Sequence, residues 1–203
     1  EQGWRGLNVE PNQQYVEKLR EARTDEVVLQ TAIGDRSGFL DFYEFENTGL
    51  STADEAVAQR HIEAGFAYTK KSVPVISLDA LLDSVAAPEI HWLKIDVEGF
   101  EKIVLSSWKE ARVLPWIVVV ESTAPLTQQE THEGWEHFLT AKDYRFAYFD
   151  GLNRFYVSPH HLNLMHIFSS PPNVFDGFVL SGTASHPFYS LVESRARQAQ
   201  ARL

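Results

Sequence analysis

The chain has 203 residues, of which 44% are hydrophobic and 23% charged, so it is long enough to bury the core of a single domain. Its formal net charge of −10 and the absence of a lysine- or arginine-rich run argue against nucleic acid and anionic membrane surfaces as partners. Because the sequence contains no cysteine, disulfides, thiolate zinc sites and a cysteine nucleophile are excluded, which fits a reducing compartment and predicts a cytoplasmic protein.

The first elements predict a parallel sheet. A short apolar strand over Arg5–Val9 precedes a helix over Pro11–Arg23, with Pro11 in its first turn. A second strand is predicted over Glu26–Ile33. This strand–helix–strand order is the signature of parallel strand pairing.

The middle of the chain continues the alternation of strands and helices. The predicted elements are an edge strand over Gly38–Phe45, a helix over Glu55–Gly65, a strand over Val73–Ile76, a helix over Leu78–Val85 capped by Ser77, a strand over Ile90–Val97, a helix over Glu98–Trp108 and a strand over Trp116–Glu121. The last strand consists almost entirely of valine and isoleucine, which is typical of the middle of a parallel sheet.

The C-terminal part predicts a change of pairing. An amphipathic helix over Gln128–Ala141 is followed by an antiparallel hairpin of Arg145–Asp150 with Arg154–Val157, and by a short helix over Pro159–Phe168. The sequence therefore predicts an α/β protein with a mostly parallel sheet and a C-terminal antiparallel hairpin.

The domain organisation follows from length and composition. We expect one domain over residues 1–180 and a polar tail or linker over residues 181–203. No apolar run is long enough to span a bilayer, and the first residues have no apolar signal core. Because the chain opens on Glu1 without a methionine, we expect it to be a piece of something longer.

Glu10 follows the first predicted strand, at the sheet edge where open α/β sheets bind ligands. There its carboxylate could accept hydrogen bonds from the vicinal hydroxyls of a nucleotide ribose. Alternatively, Glu10 simply favours the positive end of the following helix. The residue pattern by itself leaves both interpretations open.

Asp96 closes the predicted strand over Ile90–Val97, on the same side as Lys94. An ion pair between the two would explain a lysine in an apolar strand. The pair either serves catalysis or is a structural buried pair without a catalytic role.

Glu98 and Glu101 both fall in the first turn of the next predicted helix, where carboxylates are favoured electrostatically. We expect one to be functional and the other to serve the helix, with Glu98 the better candidate. Glu121 also closes a strand, so it is predicted at the same edge as Asp96. Two carboxylates at this edge could bind a divalent metal or act together in acid–base catalysis. Alternatively, Glu121 is only an exposed acid at the end of a strand.

Several motifs, taken in order, resemble the FkbM-type family of S-adenosylmethionine-dependent methyltransferases. They are Asn8-Val9-Glu10-Pro11, Thr31-Ala32-Ile33-Gly34-Asp35, Gly49-Leu50-Ser51-Thr52, Val75-Ile76-Ser77-Leu78-Asp79, Leu93 to Glu101, and Val119-Val120-Glu121. The segments Tyr148 to Val157 and Pro171 to Asp176 resemble the branch of the family found beside glycosyltransferases in envelope-glycan proteins.

The resemblance implies a Rossmann-like methyltransferase sheet, S-adenosylmethionine as the cofactor, and O-methylation of a hydroxyl on a sugar or glycan. It also implies a small-molecule or glycan acceptor and a glycosyltransferase fused to or beside the domain. The implied cofactor-binding residues are Glu10 at the ribose, Ala32 and Ile33 at the adenine, Asp96 beside the methyl group, and Asn8. The candidate catalytic residues are Asp96, Glu98 and Lys94.

One feature of the family is missing from this sequence. The glycine-rich turn after the family's first strand, which holds the methionine end of the cofactor, does not precede Leu7. That strand would lie between those of Leu7 and Ile95, and without it backbone groups on both sides would lack partners. We therefore expect either an upstream segment or a degenerate domain.

Two other functions remain open at this stage. The first is a non-catalytic glycan-binding or scaffolding module of a larger synthase. The second is a nicotinamide-dependent oxidoreductase, because Glu10 would suit the ribose of either cofactor.

Overall fold

The structure is a computed structural model, and it describes residues 3–46 and 48–176. The described residues up to Ser169 form one compact unit, and those from 170 to 176 belong to a second unit. Within the second unit, Val174–Asp176 forms a 3₁₀ turn. The predicted boundary at residue 180 and the predicted tail lie outside the described residues.

The first unit contains nine strands, five α-helices and two 3₁₀ segments among its described residues. The strands are β1 (Leu7–Val9), β2 (Val27–Leu29), β3 (Ala32–Ile33), β4 (Gly38–Glu44), β5 (Thr69–Ile76), β6 (Trp92–Ile95), β7 (Ile117–Glu121), β8 (Arg145–Phe149) and β9 (Asn153–Val157). The helices are α1 (Gln13–Ala22), α2 (Glu55–Glu63), α3 (Leu78–Ser84), α4 (Glu101–Ser106) and α5 (Glu136–Thr140), and the 3₁₀ segments are His132–Gly134 and Pro159–Ser169.

The predicted strand–helix–strand unit at the start of the chain is confirmed. Strands β1 and β2 pair in parallel, with Leu7 opposite Val27, and α1 connects them. The helix begins at Gln13 and not at Pro11, because the Asn12 side chain caps it by accepting a hydrogen bond from the backbone N–H of Gln14 (2.9 Å).

The single strand predicted over Glu26–Ile33 is wrong. It divides into β2, which pairs with β1, and β3, which pairs in parallel with β5. Thr31 marks the change of partner: its buried hydroxyl donates a hydrogen bond to the carbonyl of Pro74 on β5 (2.9 Å). The apolar run is continuous in the sequence, but its two ends belong to different sheets.

The described strands form three sheets of mixed direction. Their orders are β1-β2, β3-β5-β4 and β6-β7-β9-β8. The pairs β1–β2, β3–β5 and β6–β7 are parallel, while β4–β5, β7–β9 and β8–β9 are antiparallel. The α/β class, the edge position of β4 and the C-terminal hairpin are thus confirmed, whereas the expected mostly parallel sheet is parallel only in part.

The amphipathic helix predicted over Gln128–Ala141 is also wrong in its first half. Ala124 donates a backbone hydrogen bond to the carbonyl of Gln129 (2.8 Å), and Thr123 forms an isolated bridge with Glu130, so this segment turns back on itself. Helical structure starts only at His132, and the fully buried Trp135 anchors the segment to the core.

One apolar cluster joins β1 to the sheet of β6. Leu7 and Val9 of β1 pack against the cluster that contains Ile95 of β6 and Val118 of β7, although β1 and β6 belong to different sheets. Among residues 3–46 and 48–176, no helix combines the length and apolar character needed to cross a membrane.

Candidate functional site

A cavity of about 260 Å³, which we call the inner cavity, lies where β1, β3 and β6 end. It is lined by apolar side chains, among them Leu7, Val9 and Leu93. Six of the candidate residues from the sequence also line it: Glu10, Ala32, Ile33, Lys94, Asp96 and Glu98.

Glu10 lies at the cavity wall directly after β1. Its Oε1 accepts a hydrogen bond from the backbone N–H of Asn12 (2.7 Å), so one carboxylate oxygen is used at the start of α1. Partial burial raises the pKa of Glu10, and this hydrogen bond opposes the rise. The residue therefore both serves the helix start and presents a carboxyl group to the cavity.

Asn8 points elsewhere. Its Nδ2 donates a hydrogen bond to Oε2 of Glu26 (2.7 Å), and its neighbours Leu7 and Val9 line the cavity instead. This placement follows the alternation of side chains along a strand. The structure thus sets Asn8 beside Glu26, apart from the residues that line the cavity.

Lys94 and Asp96 form the expected ion pair, with 3.0 Å between Nζ and Oδ2. Lys94 also donates a hydrogen bond to Oδ1 of Asn153 (2.6 Å). The two side chains are 29% and 45% exposed, respectively, so the pair is open to solvent and not deeply buried. Asp96 is therefore held in place but accessible to a ligand.

The chain turns sharply after Asp96, which contradicts the helix predicted to start at Glu98. Glu98 and Gly99 both have positive φ (51° and 97°), as at the centre of a type I′ turn, and Phe100 N–H closes the turn on the carbonyl of Val97 (3.3 Å). The buried Thr52 hydroxyl donates a hydrogen bond to the Glu98 carbonyl (2.9 Å). A non-glycine residue with positive φ is strained, and such strain often marks functional sites.

Glu101 holds this turn together. Its buried Oε1 accepts hydrogen bonds from the backbone N–H groups of Gly99 (3.1 Å) and Val97 (3.3 Å). Glu98, by contrast, lines the cavity. Glu98 and Glu101 thus have different surroundings, and Glu98, the better candidate from the sequence, is the one that faces the cavity.

Three carboxylates meet at this point. Asp96, Glu98 and Glu121 each place one oxygen so that all three atoms lie within 4.8 Å of one another. We call these three residues the carboxylate cluster. Glu121 is 8% exposed, and its Oε2 has no hydrogen-bond partner among the described residues.

The crowding changes the proton affinity of the cluster. Burial, followed by the negative charge of Asp96, raises the pKa of Glu98 to about 7. Burial raises the pKa of Glu121 as well, and the charges of Asp96 and Glu98 add to the effect. Near neutral pH the cluster therefore retains protons unless a cation neutralises it.

A second, more open cavity of about 490 Å³ adjoins the cluster. We call it the outer groove; its lining residues are Leu50, Glu98, Glu121, Thr123, Pro125, Leu126, Thr127, Gln128 and Leu152. Because Glu98 lines both spaces, the carboxylate cluster stands where the inner cavity and the outer groove meet.

Sequence reasoning gave no role to three polar residues of the site. Thr52 fixes the Glu98 carbonyl, Asn153 holds Lys94, and Thr123 lines the outer groove. Their sequence signals are weak, because each lies in or beside a turn where threonine and asparagine are common for local reasons. Their function becomes visible only when distant segments come together.

Comparison of the chain with known protein families gives a match. The family model described as the methyltransferase FkbM domain matches residues 1–146. No curated protein and no solved structure shows significant similarity to the chain. Since the family model covers most of the sequence, the chain belongs to the FkbM methyltransferase family.

Proposed function

We propose that this protein is an S-adenosylmethionine-dependent O-methyltransferase with a Rossmann-like arrangement, acting on a hydroxyl of a sugar or glycan. The observation that carries the proposal is the position of the carboxylate cluster between an apolar inner cavity and an open outer groove. Such a junction allows a cofactor on one side to meet an acceptor on the other.

The inner cavity fits the adenosine part of this cofactor. Ala32 and Ile33 offer an apolar surface for the adenine, and Glu10 offers a carboxylate for the ribose hydroxyls. Oε1 of Glu10 already accepts from Asn12, so the hydroxyls would bond chiefly to Oε2. Asp96, which follows β6 and lines the same cavity, would lie beside the reactive methyl group.

S-adenosylmethionine supplies a methyl group on a positively charged sulfur, which an oxygen nucleophile can attack in line. The protein then mainly has to position the acceptor, since orientation can supply much of the acceleration. Asp96 would accept the hydroxyl proton on its carboxylate. Lys94, 3.0 Å away, would keep that carboxylate in position.

The outer groove suits a sugar. Thr123, Thr127 and Gln128 can exchange hydrogen bonds with hydroxyl groups, and Leu126 and Leu152 can pack on the apolar face of a ring. A glycosyltransferase acting before this protein would deliver an acceptor of that chemistry.

Calorimetry on the purified protein tests the cofactor part of the proposal. We expect S-adenosylhomocysteine to bind and NAD not to bind. The substitution Glu10→Gln should weaken the binding of S-adenosylhomocysteine by about 1.5–3 kcal/mol, the contribution of a hydrogen bond to a charged group. The control is Glu21→Gln, which makes the same charge change on the exposed side of α1.

Other results would favour one of the alternative functions or change the role of Glu10. Binding of NAD in place of S-adenosylhomocysteine would favour the oxidoreductase alternative. Glycan binding without any affinity for either cofactor would favour the non-catalytic module. Unchanged affinity in Glu10→Gln would assign Glu10 to the helix start alone.

A further inference from the structure

The carboxylate cluster has a feature that methyl transfer by itself does not require. Glu121 is more than nine-tenths buried, and its Oε2 has no hydrogen-bond partner in the described part of the chain. One oxygen of the same carboxylate lies within 4.8 Å of an oxygen of Asp96 and of Glu98. A buried carboxylate oxygen without a partner costs free energy, so such groups in folded proteins are usually paired or bind a metal. Glu121 therefore points to a missing positive partner.

The spacing of the oxygens fits a single ion. Mg²⁺ binds oxygen at about 2.0–2.1 Å and Ca²⁺ at about 2.3–2.6 Å, so two oxygens bound to one ion are at most about 4.2 Å apart for Mg²⁺ and about 5.2 Å apart for Ca²⁺. The three ligand oxygens of the cluster lie within 4.8 Å of one another. An ion with the longer bonds of Ca²⁺ fits this limit as the oxygens stand, whereas Mg²⁺ requires the side chains to move closer by a few tenths of an ångström.

The charge balance points the same way. When ionised, the three carboxylates carry −3, and Lys94, in contact with Asp96, contributes +1, which leaves −2. A divalent cation would neutralise the remainder.

We propose that Asp96, Glu98 and Glu121 bind one oxygen-preferring divalent cation, of the class of Mg²⁺, Mn²⁺ and Ca²⁺, at the junction of the inner cavity and the outer groove. All-carboxylate ligands select such hard cations. Three protein ligands leave further coordination positions for water or for a hydroxyl of the molecule in the outer groove. That second role, holding the acceptor oxygen, rests on the proposed methyltransferase function, whereas cation binding does not.

The direct test is titration of the purified protein with Mn²⁺, followed by electron paramagnetic resonance of the free ion. We expect one bound Mn²⁺ per chain, displaced by Mg²⁺. Glu121→Gln and Glu98→Gln should each weaken Mn²⁺ binding on the order of tenfold or more, because both remove a charged ligand. Glu89→Gln, the same change on an exposed loop before β6, should bind like the parent.

Two variants keep the test decisive. If buried Glu121→Gln does not fold, as judged by its circular dichroism melt, the partly exposed Glu98→Gln alone decides the result. Absence of Mn²⁺ binding, or equal binding by the parent and Glu98→Gln, would overturn the proposal and leave proton sharing between Glu121 and Asp96 as the explanation.

A parallel titration with S-adenosylhomocysteine separates the two proposals. Mn²⁺ binding without S-adenosylhomocysteine binding would support the cation site and reject the methyltransferase function. S-adenosylhomocysteine binding without Mn²⁺ binding would support the methyltransferase function and reject the cation site.

Discussion

At the scale of single residues, Asp96 is the position where structural and chemical roles can be separated. It is paired with Lys94, but Lys94 has a second partner in Asn153 at 2.6 Å. Loss of the Asp96 charge therefore does not leave Lys94 without a hydrogen bond. Since the lysine is partly exposed, it can also be solvated.

We predict that Asp96→Asn folds, binds S-adenosylhomocysteine and loses methyl transfer, by a factor of about 10²–10⁴ for a missing general base. The measurement is turnover with a radiolabelled methyl donor, beside a thermal melt and a calorimetric titration. Asp41→Asn is the matched control, because Asp41 pairs with Lys70 at 2.8 Å on an exposed strand. A large fall in melting temperature for Asp96→Asn alone would make the pair structural.

At the scale of elements, the turn between β6 and α4 sets the direction of Glu98. Gly99 has a φ of 97°, and a Cβ built on it would come within 2.7 Å of Cγ2 of Val57. The turn is thus pressed against α2, whose first residues follow Thr52. A side chain at position 99 would have to displace α2 or the turn.

Gly99→Ala should lower the free energy of unfolding by about 2–4 kcal/mol, combining positive-φ strain with overpacking. Gly65→Ala shares the positive φ, at 90°, but has open space around its Cβ, so it isolates the strain and should cost about 1 kcal/mol. Chemical denaturation measures both. Equal losses in the two variants would show that the contact with Val57 is unimportant.

Other elements show which features of the fold can be predicted from the sequence. Apolar runs located the strands around Ile95 and Val118, and the serine at position 77 located the start of α3, where it caps the N–H of Ala80 (3.1 Å). These signals are local, because burial and capping depend on near neighbours. The family motifs added the residues that line the inner cavity.

The incorrect predictions concern places where the structure depends on contacts between segments that are distant in the sequence. The change of partner at Thr31 is set by Pro74, which lies 43 residues away. The turn at Glu98 is held by Thr52, 46 residues before it. Neither contact is visible in the local sequence pattern. The sequence therefore predicts one long strand over Glu26–Ile33 where the structure has two, and it predicts the start of a helix at Glu98 where the structure has a turn.

At the scale of the whole molecule, the carboxylate cluster makes stability depend on pH. Without divalent cations, the folded state holds protons on Glu98, whose pKa is raised to about 7, where the unfolded chain has already lost them. The raised pKa of Glu121 acts in the same direction. The folded state therefore loses stability as pH rises through the range between the ordinary pKa of a glutamate and about 7.

In EDTA, we predict that the free energy of unfolding falls between pH 5 and pH 8. Because Glu98 is partly exposed, solvent screening limits its share to about 1–2 kcal/mol. Glu98→Gln should flatten this part of the curve, while Glu89→Gln should keep it. Urea denaturation at several pH values provides the test, and stability that rises over this range in the parent would contradict it.

In the proposed function, the inner cavity binds S-adenosylmethionine with the carboxylate cluster at the reactive end of the cofactor. The most direct measurement is an experimental structure of the protein with S-adenosylhomocysteine. We predict the ligand in the inner cavity, with its ribose hydroxyls at hydrogen-bond distance from Glu10, adenine against Ala32 and Ile33, and sulfur facing Asp96. A ligand bound elsewhere, or with its ribose away from Glu10, would contradict the account.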